Sequence, residues 1–153
     1  MPRTDRASRL VAAPVSRVFE ALVDREGLLA WLPPRGMVAT FERFDPRPGG
    51  SYRLVLSYVD AAESPGKSSA DSDIVEARYI EIVPDVRVVQ AVDFVSDDPK
   101  FAGTMTMTWA VAAVNGATRV DIIADDVPDG IAAGDHATGL ASSLENLAIH
   151  VES

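Results

Sequence analysis

The chain has 153 residues, 47% of them hydrophobic and 24% charged, which is typical of one globular domain and not of a disordered chain. Its 23 acidic residues outnumber its 14 basic ones and give a formal net charge of −9, which argues against binding to nucleic acid or to an anionic membrane surface. With no cysteine, the chain can form neither a disulfide nor a thiolate metal site.

The N-terminal stretch MPRTDRASRL has no apolar run of the kind that a signal peptide needs. No apolar run elsewhere is long enough to span a bilayer. We therefore expect a cytoplasmic protein without a membrane partner. Residues 1–6 are polar, and we expect them to be frayed.

A strand and two short helices are predicted next. Residues 8–13 can form the strand, and Pro14 suits the first turn of a helix, where its missing N–H costs nothing. Apolar residues then follow at helical spacing as far as Leu22. A second short helix is predicted for residues 25–32 and ends at Pro33-Pro34.

A β-hairpin follows, with strands at residues 37–44 and 51–59. Residues 45–50 form the turn, because their two prolines fix φ and their two glycines permit a positive φ. In the second strand, apolar side chains alternate with polar ones and therefore share one face of a sheet. These side chains are Tyr52, Leu54, Leu56 and Tyr58.

Four more strands are predicted in the second half of the chain. They span residues 73–83, 87–95, 103–113 and 118–125. Asn115-Gly116 is a strong hairpin signal between the last two. The small and polar residues 61–72 predict a mobile loop before the first of the four. One face of the third strand carries Met105, Met107, Trp109 and Val111.

A long helix over residues 135–151 ends the chain, with Asp135 as its predicted N-cap. Its apolar residues recur every three or four positions and form one stripe. They are Ala137, Leu140, Leu144, Leu147 and Val151. This is the only predicted helix long enough to cover the apolar face of an antiparallel sheet. The pattern therefore predicts an α+β fold in one domain, with a curved sheet of six to seven strands around the C-terminal helix.

Several stretches resemble a known family across nearly the whole chain. They are residues 13–33, with Val18-Phe19-Glu20-Ala21-Leu22 and Trp31-Leu32-Pro33; residues 44–53, FDPRPGGSYR; residues 79–84, YIEIVP; and residues 103–109, GTMTMTW, followed by Gly130-Ile131, Asp135-His136, Gly139 and Ser143-Leu144-Glu145-Asn146-Leu147-Ala148. In this order they resemble the START-like (SRPBCC) superfamily. Within it, the chain is most similar to the family named for the C-terminal domain of the activator of Hsp90 ATPase.

The resemblance implies a helix-grip fold with a cavity between the last helix and the sheet. Many family members carry Trp just after the glycine of that helix, where this chain has Leu140. The eukaryotic co-chaperones also have an extra N-terminal domain. Nothing in this chain matches that domain, so we do not carry over a role with Hsp90.

The inward-facing rows, together with the implied cavity, predict a set of ligand-binding residues. They are Trp31, Tyr52, Met105, Met107, Trp109, His136, Leu140 and Leu144. Methionine suits a pocket of irregular shape, and tyrosine and tryptophan add a polar tip that can orient a ligand. For any single one of these residues, packing in a dry core is the alternative role and the commoner one.

Three polar residues could take part in catalysis or in ligand binding. His136, in the first turn of the last helix, could act as a neutral base or could simply make a local surface contact. Arg47 and Arg53 could hold a ligand carboxylate at the cavity mouth or could be two solvated side chains, and the alternation points Arg53 outward. We find no spacing of histidines or carboxylates that predicts a metal site, and no fingerprint of a nucleotide cofactor.

The sequence therefore leaves three functions open. The first is a binding module that encloses an apolar or aromatic small molecule, without catalytic residues or a cofactor. The second is a cyclase- or aromatase-like enzyme that uses His136, Asp93 or Tyr52 as an acid or base. The third is a regulator of a protein partner, which needs an exposed apolar patch. A homodimer is also left open.

Overall fold

The computed structural model describes residues 3–33, 36–58 and 72–152. Apart from Ser72, the loop predicted for residues 61–72 lies outside the described residues. The strands are β1 Asp5–Val11, β2 Met37–Phe44, β3 Ser51–Tyr58, β4 Ser72–Val83, β5 Arg87–Phe94, β6 Met105–Val114 and β7 Ala117–Asp125. The helices are α1 Val15–Val23, α2 Arg25–Trp31 and α3 Ala133–Glu152, with one 3₁₀ turn at Pro99–Phe101.

All seven strands form one antiparallel sheet in the order β1-β7-β6-β5-β4-β3-β2. Consecutive strands pair from β2 to β7, whereas β1 pairs with β7, so that β1 and β2 are the two edges. The two short helices connect these edge strands, and α3 packs against β1, α1 and α2. The predicted α+β helix-grip architecture, a curved and unclosed sheet around a C-terminal helix, is confirmed.

The start of the chain differs from the prediction. Residues 1–6 were expected to be frayed, but β1 begins at Asp5, and Arg3 donates a hydrogen bond from Nη2 to the carbonyl oxygen of Ile131 at 2.5 Å. The reason is the pairing with β7, which runs from Asp5 opposite Ala124 to Val11 opposite Thr118. A strand that needs its register partner cannot be recognised from its own polar sequence.

The start of α3 also differs. The helix begins at Ala133, two residues before the predicted N-cap Asp135, and the amide of His136 donates to the carbonyl oxygen of Ala132 at 2.9 Å. Asp135 therefore lies in the first turn, where its carboxylate interacts favourably with the positive end of the helix dipole. None of the described helices is long and apolar enough to cross a membrane.

The turn between β2 and β3 also anchors β4. Gly49 donates to the carbonyl oxygen of Tyr79 at 2.9 Å, and the amide of Tyr79 donates to that of Gly50 at the same distance. Gly49 has φ +84°, and a Cβ on Gly50 would lie 2.2 Å from the carbonyl oxygen of Asp45. Both positions therefore require glycine, because one needs a positive φ and the other has no room for a side chain.

Candidate functional site

A cavity of about 260 Å³ lies between α3 and the inner face of the sheet. Its wall combines side chains from α1, α2, strands β3 to β6 and α3. Seven of the eight sequence-predicted residues line it: Trp31, Tyr52, Met105, Met107, Trp109, His136 and Leu140. The structure thus brings together side chains that are up to 109 residues apart, between Trp31 and Leu140. Whether they bind a ligand stays a prediction.

Leu144 is the exception among the eight. It is only 2% exposed but is not part of the cavity wall, whereas its neighbour Ser143 is. Successive helix residues are rotated by about 100° around the axis, so a single position separates the wall from the packed core beside it. Placing Leu144 on the wall was therefore wrong, although its prediction as a buried residue of the stripe was right.

Two tryptophans form an aromatic corner of the cavity. The ring centroids of Trp31 and Trp109 are 5.4 Å apart, at an interplanar angle of 72°. The indole Nε1 of Trp31 donates to the carbonyl oxygen of Ala21 at 2.9 Å. This hydrogen bond satisfies the buried polar group and fixes the ring on the cavity wall.

A row of cross-strand neighbours crosses the inner face of the sheet, which forms the floor of the site, and two of its members, Gln90 and Met107, line the cavity. Tyr79 on β4 pairs with Gln90 on β5, Gln90 with Met107 on β6, Met107 with Ala124 on β7, and Ala124 with Asp5 on β1. Directly opposed residues of an antiparallel sheet point to the same face. At about 4.8 Å per strand, the polar side chains of Gln90 and Asp5 start about 14 Å apart, with apolar floor between them.

Two tyrosines occupy the Gln90 side of this floor. Burial raises the pKa of Tyr52 to about 12, although a hydrogen bond with Gln90 offsets part of the increase. Burial, and next the nearby Tyr52, also raise the pKa of Tyr79. The ring centroids of the two tyrosines are 5.9 Å apart. The Tyr79 hydroxyl is buried and has no hydrogen-bond partner among the described residues.

The opposite side of the floor carries a histidine in contact with a carboxylate. His136 Nδ1 lies 2.6 Å from Asp5 Oδ2, and the two side chains are 12% and 13% exposed. Arg3 binds the same carboxylate through Nε at 3.1 Å to Oδ1 and through Nη2 at 3.0 Å to Oδ2. Burial raises the pKa of Asp5, but the hydrogen bonds from His136 and Arg3 outweigh burial and lower it overall.

Other polar candidates lie away from the cavity. Asp93 accepts a hydrogen bond from the Thr104 hydroxyl at 2.6 Å and is not part of the wall. Arg53 points outward as predicted and pairs with Glu42 at 2.8 Å and Glu76 at 2.6 Å. Arg47 pairs with Asp45 at 2.8 Å. These arginines are therefore not available as a carboxylate clamp at the cavity mouth.

Sequence reasoning missed two polar residues of the site. Gln90 is the single polar residue in the apolar run Val88-Val89-Gln90-Ala91-Val92, so the alternation alone could have placed it inward. Asp5 gave no such signal, because it lies in a polar stretch and meets His136 only through the β1–β7 pairing. Among the described residues, no group of three or more histidines or carboxylates is placed to hold a metal ion.

Comparison with known proteins agrees with this architecture. The model of the activator of Hsp90 ATPase homolog 1-like protein family matches residues 12–152. A Chromobacterium violaceum protein of known crystal structure is 31% identical, with 98% of this chain and 97% of that chain covered and a TM-score of 0.85. No curated protein matches the chain in sequence.

Two further structures share the fold at lower identity. An Arthrobacter aurescens protein is 17% identical, with 97% and 86% of the two chains covered and a TM-score of 0.81. DynU16, a protein of the dynemicin biosynthetic locus, is 20% identical with a TM-score of 0.70. The alignment covers 98% of this chain but 47% of DynU16, so this chain spans about half of that protein. At these identities the likeness concerns the fold alone.

Proposed function

This chain belongs to the activator of Hsp90 ATPase homolog 1-like family, and on that premise we propose that it binds an apolar or aromatic small molecule between α3 and the sheet. The observation that carries the proposal is the cavity of about 260 Å³, whose wall is almost entirely apolar and aromatic. An unfilled interior space costs packing energy, which a ligand that enters it recovers.

The composition of the wall suits a ligand that is mostly apolar and has few polar atoms. Met105 and Met107 are pliable and adapt to irregular shapes, and the two tryptophans offer flat surfaces. Tyr52, Gln90, His136 and Ser143 are the polar residues of the wall that can orient a ligand within it. An engineered cavity of about 150 Å³ in another protein holds benzene, so the larger cavity here suits a one- or two-ring molecule.

Regulation of a protein partner receives less support. It needs a contiguous exposed apolar patch. Among the described residues, the large exposed apolar side chains are distributed over β1, β2, β4, the β4–β5 turn, the residue after β5, β6 and α3; they are Leu10, Val38, Ile80, Val86, Val95, Val114 and Ile149. The family name refers to activation of Hsp90, and we do not extend that activity to this chain.

A cyclase- or aromatase-like enzyme is the second candidate, and one observation favours it. Acid–base catalysis in a cavity needs titratable groups that act together at the substrate. The sequence supplied His136 without a partner, whereas the structure pairs it with Asp5 at 2.6 Å.

The binding function is tested with freshly purified protein. Native mass spectrometry looks for a co-purified apolar mass, and thermal melting is repeated with fatty acids, flat aromatics and steroids. A ligand at about 100 times its Kd raises the melting temperature by about 5–10 °C in a chain of this size. If no ligand class changes the melting temperature and no mass co-purifies, the cavity is closed in solution and the proposal is wrong.

A further inference from the structure

The pair formed by His136 and Asp5 brings an ionisable group to an otherwise apolar wall. Apart from Tyr52, His136 is the only titratable residue among the described residues that line the cavity. Within residues 3–33, 36–58 and 72–152, its ring is bound on one side only, by Asp5 through Nδ1. A solvated histidine would need no such partner, whereas this one is held at the cavity wall with a side-chain exposure of 12%.

The protonation of this pair follows from its hydrogen bonds. Arg3 and His136 both stabilise the ionised carboxylate of Asp5, and an ionised carboxylate can only accept hydrogen bonds. The hydrogen between the two groups therefore belongs to Nδ1 of His136. The other nitrogen, Nε2, has no partner among the described residues and, in the neutral ring, carries a lone pair that can accept a proton.

Charged groups of both signs surround the ring, which lies in the first turn of α3 at the positive end of the helix dipole. Asp5 faces it from β1, Arg3 precedes that strand and neutralises Asp5 in part, and Asp135 is its acidic neighbour on α3. Arg3 also donates to Ile131, in the segment that leads into α3, and so ties the carboxylate to the start of the helix. The imidazole therefore has a fixed orientation and a negative partner, as an acid–base group requires.

We propose that His136, positioned by Asp5, accepts the proton of a weakly acidic hydroxyl, a phenol or an enol, on an aromatic ligand held in the cavity. This inference rests on the proposed binding function. In the transfer, the ligand O–H bond breaks, its electron pair stays on oxygen, and the proton bonds to Nε2. The product is a phenolate or enolate beside an imidazolium, and the total charge is unchanged.

The ligand class follows from acidity and from the floor of the site. Proton transfer is efficient when donor and acceptor have similar pKa values, which suits phenols and enols and excludes aliphatic alcohols. Ala124 and Met107 separate Asp5 from Gln90 along the cross-strand row, so the apolar ring system would lie over Met107 with its hydroxyl towards His136.

A matched pair of probes tests the inference on the unmodified protein. 4-Nitrophenol carries the acidic hydroxyl, and its phenolate absorbs at longer wavelength than the phenol; 4-nitroanisole keeps the nitro-substituted ring but has a methyl group in place of that hydrogen. Binding is followed by quenching of the two tryptophans, both of which line the cavity. We expect 4-nitrophenol to bind about tenfold more tightly than 4-nitroanisole. Equal affinities together with an unchanged nitrophenol spectrum would overturn the inference.

Three variants then show which residue causes the ionisation of bound nitrophenol. In His136→Gln, bound nitrophenol should ionise at a pH about one unit higher than in the wild type, and the preference over nitroanisole should disappear. Asp5→Asn should give an intermediate spectrum, because Asp5 acts through His136. Asp121→Asn is the matched control, since it removes a carboxylate of β7 that pairs with Arg119 at 3.1 Å outside the cavity. Its spectrum should equal that of the wild type.

The outcomes separate this inference from the function on which it rests. If both probes bind but nitrophenol behaves alike in wild type and His136→Gln, the cavity binds apolar molecules and His136 is not the proton acceptor. If neither probe binds and the wider ligand panel also gives no thermal shift, both the binding function and this inference are wrong.

Discussion

Tyr52 and Tyr79 place two phenol groups in the apolar interior of the sheet, where ionisation is costly. The pKa of Tyr52 is raised to about 12, from 10.0 for an unperturbed tyrosine, because its hydroxyl is removed from water. Both tyrosines therefore stay neutral across the physiological range and act as hydrogen-bonding or packing groups, not as bases. This argues against the use of Tyr52 as a catalytic base.

The raised pKa of Tyr52 predicts a loss of stability at high pH. Between about pH 10 and 12 the unfolded chain loses the tyrosine proton and the folded chain retains it, so the free energy of unfolding falls as pH rises. The contribution of Tyr52 is complete below pH 10 and decreases by about 1.4 kcal/mol per pH unit between about pH 10 and pH 12.

Tyr52→Phe should therefore have a flatter alkaline limb than the wild type. Urea denaturation at several values from pH 8 to pH 11 measures this, with each protein referred to its own stability at pH 8 to remove the difference in packing. Parallel curves would show that Tyr52 ionises equally in the folded and unfolded chain.

A site residue can be predicted from the sequence when the residues next to it determine its position, and not when a strand pairing distant in sequence does. Tyr52, Met107 and Trp109 could be placed because a period of two or of 3.6 is a local property of the sequence. Asp5 could not, because it meets His136 across 131 positions of sequence, and only the register of β1 on β7 brings them together. Local patterns therefore predicted the apolar wall but not its acid–base pair.

At the scale of elements, α3 is held by its buried stripe and not by intrinsic helix propensity. Leu144 and Leu147 are 2% and 0% exposed, whereas Ile149 on the same helix is 63% exposed. Spacing alone predicted four of the buried residues of this stripe, but Ala137, which it also placed there, is exposed. The start of the helix was not predicted, because Ala132 and Ala133 give no capping signal and the helix begins there without a polar N-cap.

Leu144→Ala should cost about 2–5 kcal/mol of unfolding free energy, because it leaves a space in a packed region. Ile149→Ala removes a similar side chain from an exposed position of the same helix and should change stability by less than about 0.5 kcal/mol. Urea denaturation of the two variants gives both values. A loss below about 0.5 kcal/mol for Leu144→Ala would mean that the sheet does not grip α3.

At the scale of the whole molecule, the cavity is a consequence of chain topology. The first strand, β1, pairs with the last strand, β7, and α3 packs against β1 at the same edge of the sheet. The helix rests on β1, α1 and α2, so an open space remains under His136, Leu140 and Ser143, on the side that faces the middle strands. A side chain that fills this space should therefore affect both global stability and ligand binding.

Leu140→Trp is the substitution that tests this coupling. Leu140 is 4% exposed and lines the cavity. The larger ring should occupy the empty volume, raise the melting temperature of the unliganded protein and abolish the thermal shift produced by apolar ligands. Ile149→Trp adds the same ring at an exposed position of α3 and should leave the ligand-induced shift intact. The measurement is thermal melting of wild type and both variants, with and without the ligand class that stabilises the wild type.

If Leu140→Trp is instead destabilised and the ligand still raises its melting temperature, the ligand binds elsewhere. If Leu140→Trp is destabilised and no ligand shifts even the wild type, the helix packs directly on the sheet, and a surface interaction becomes the better explanation of what this protein does.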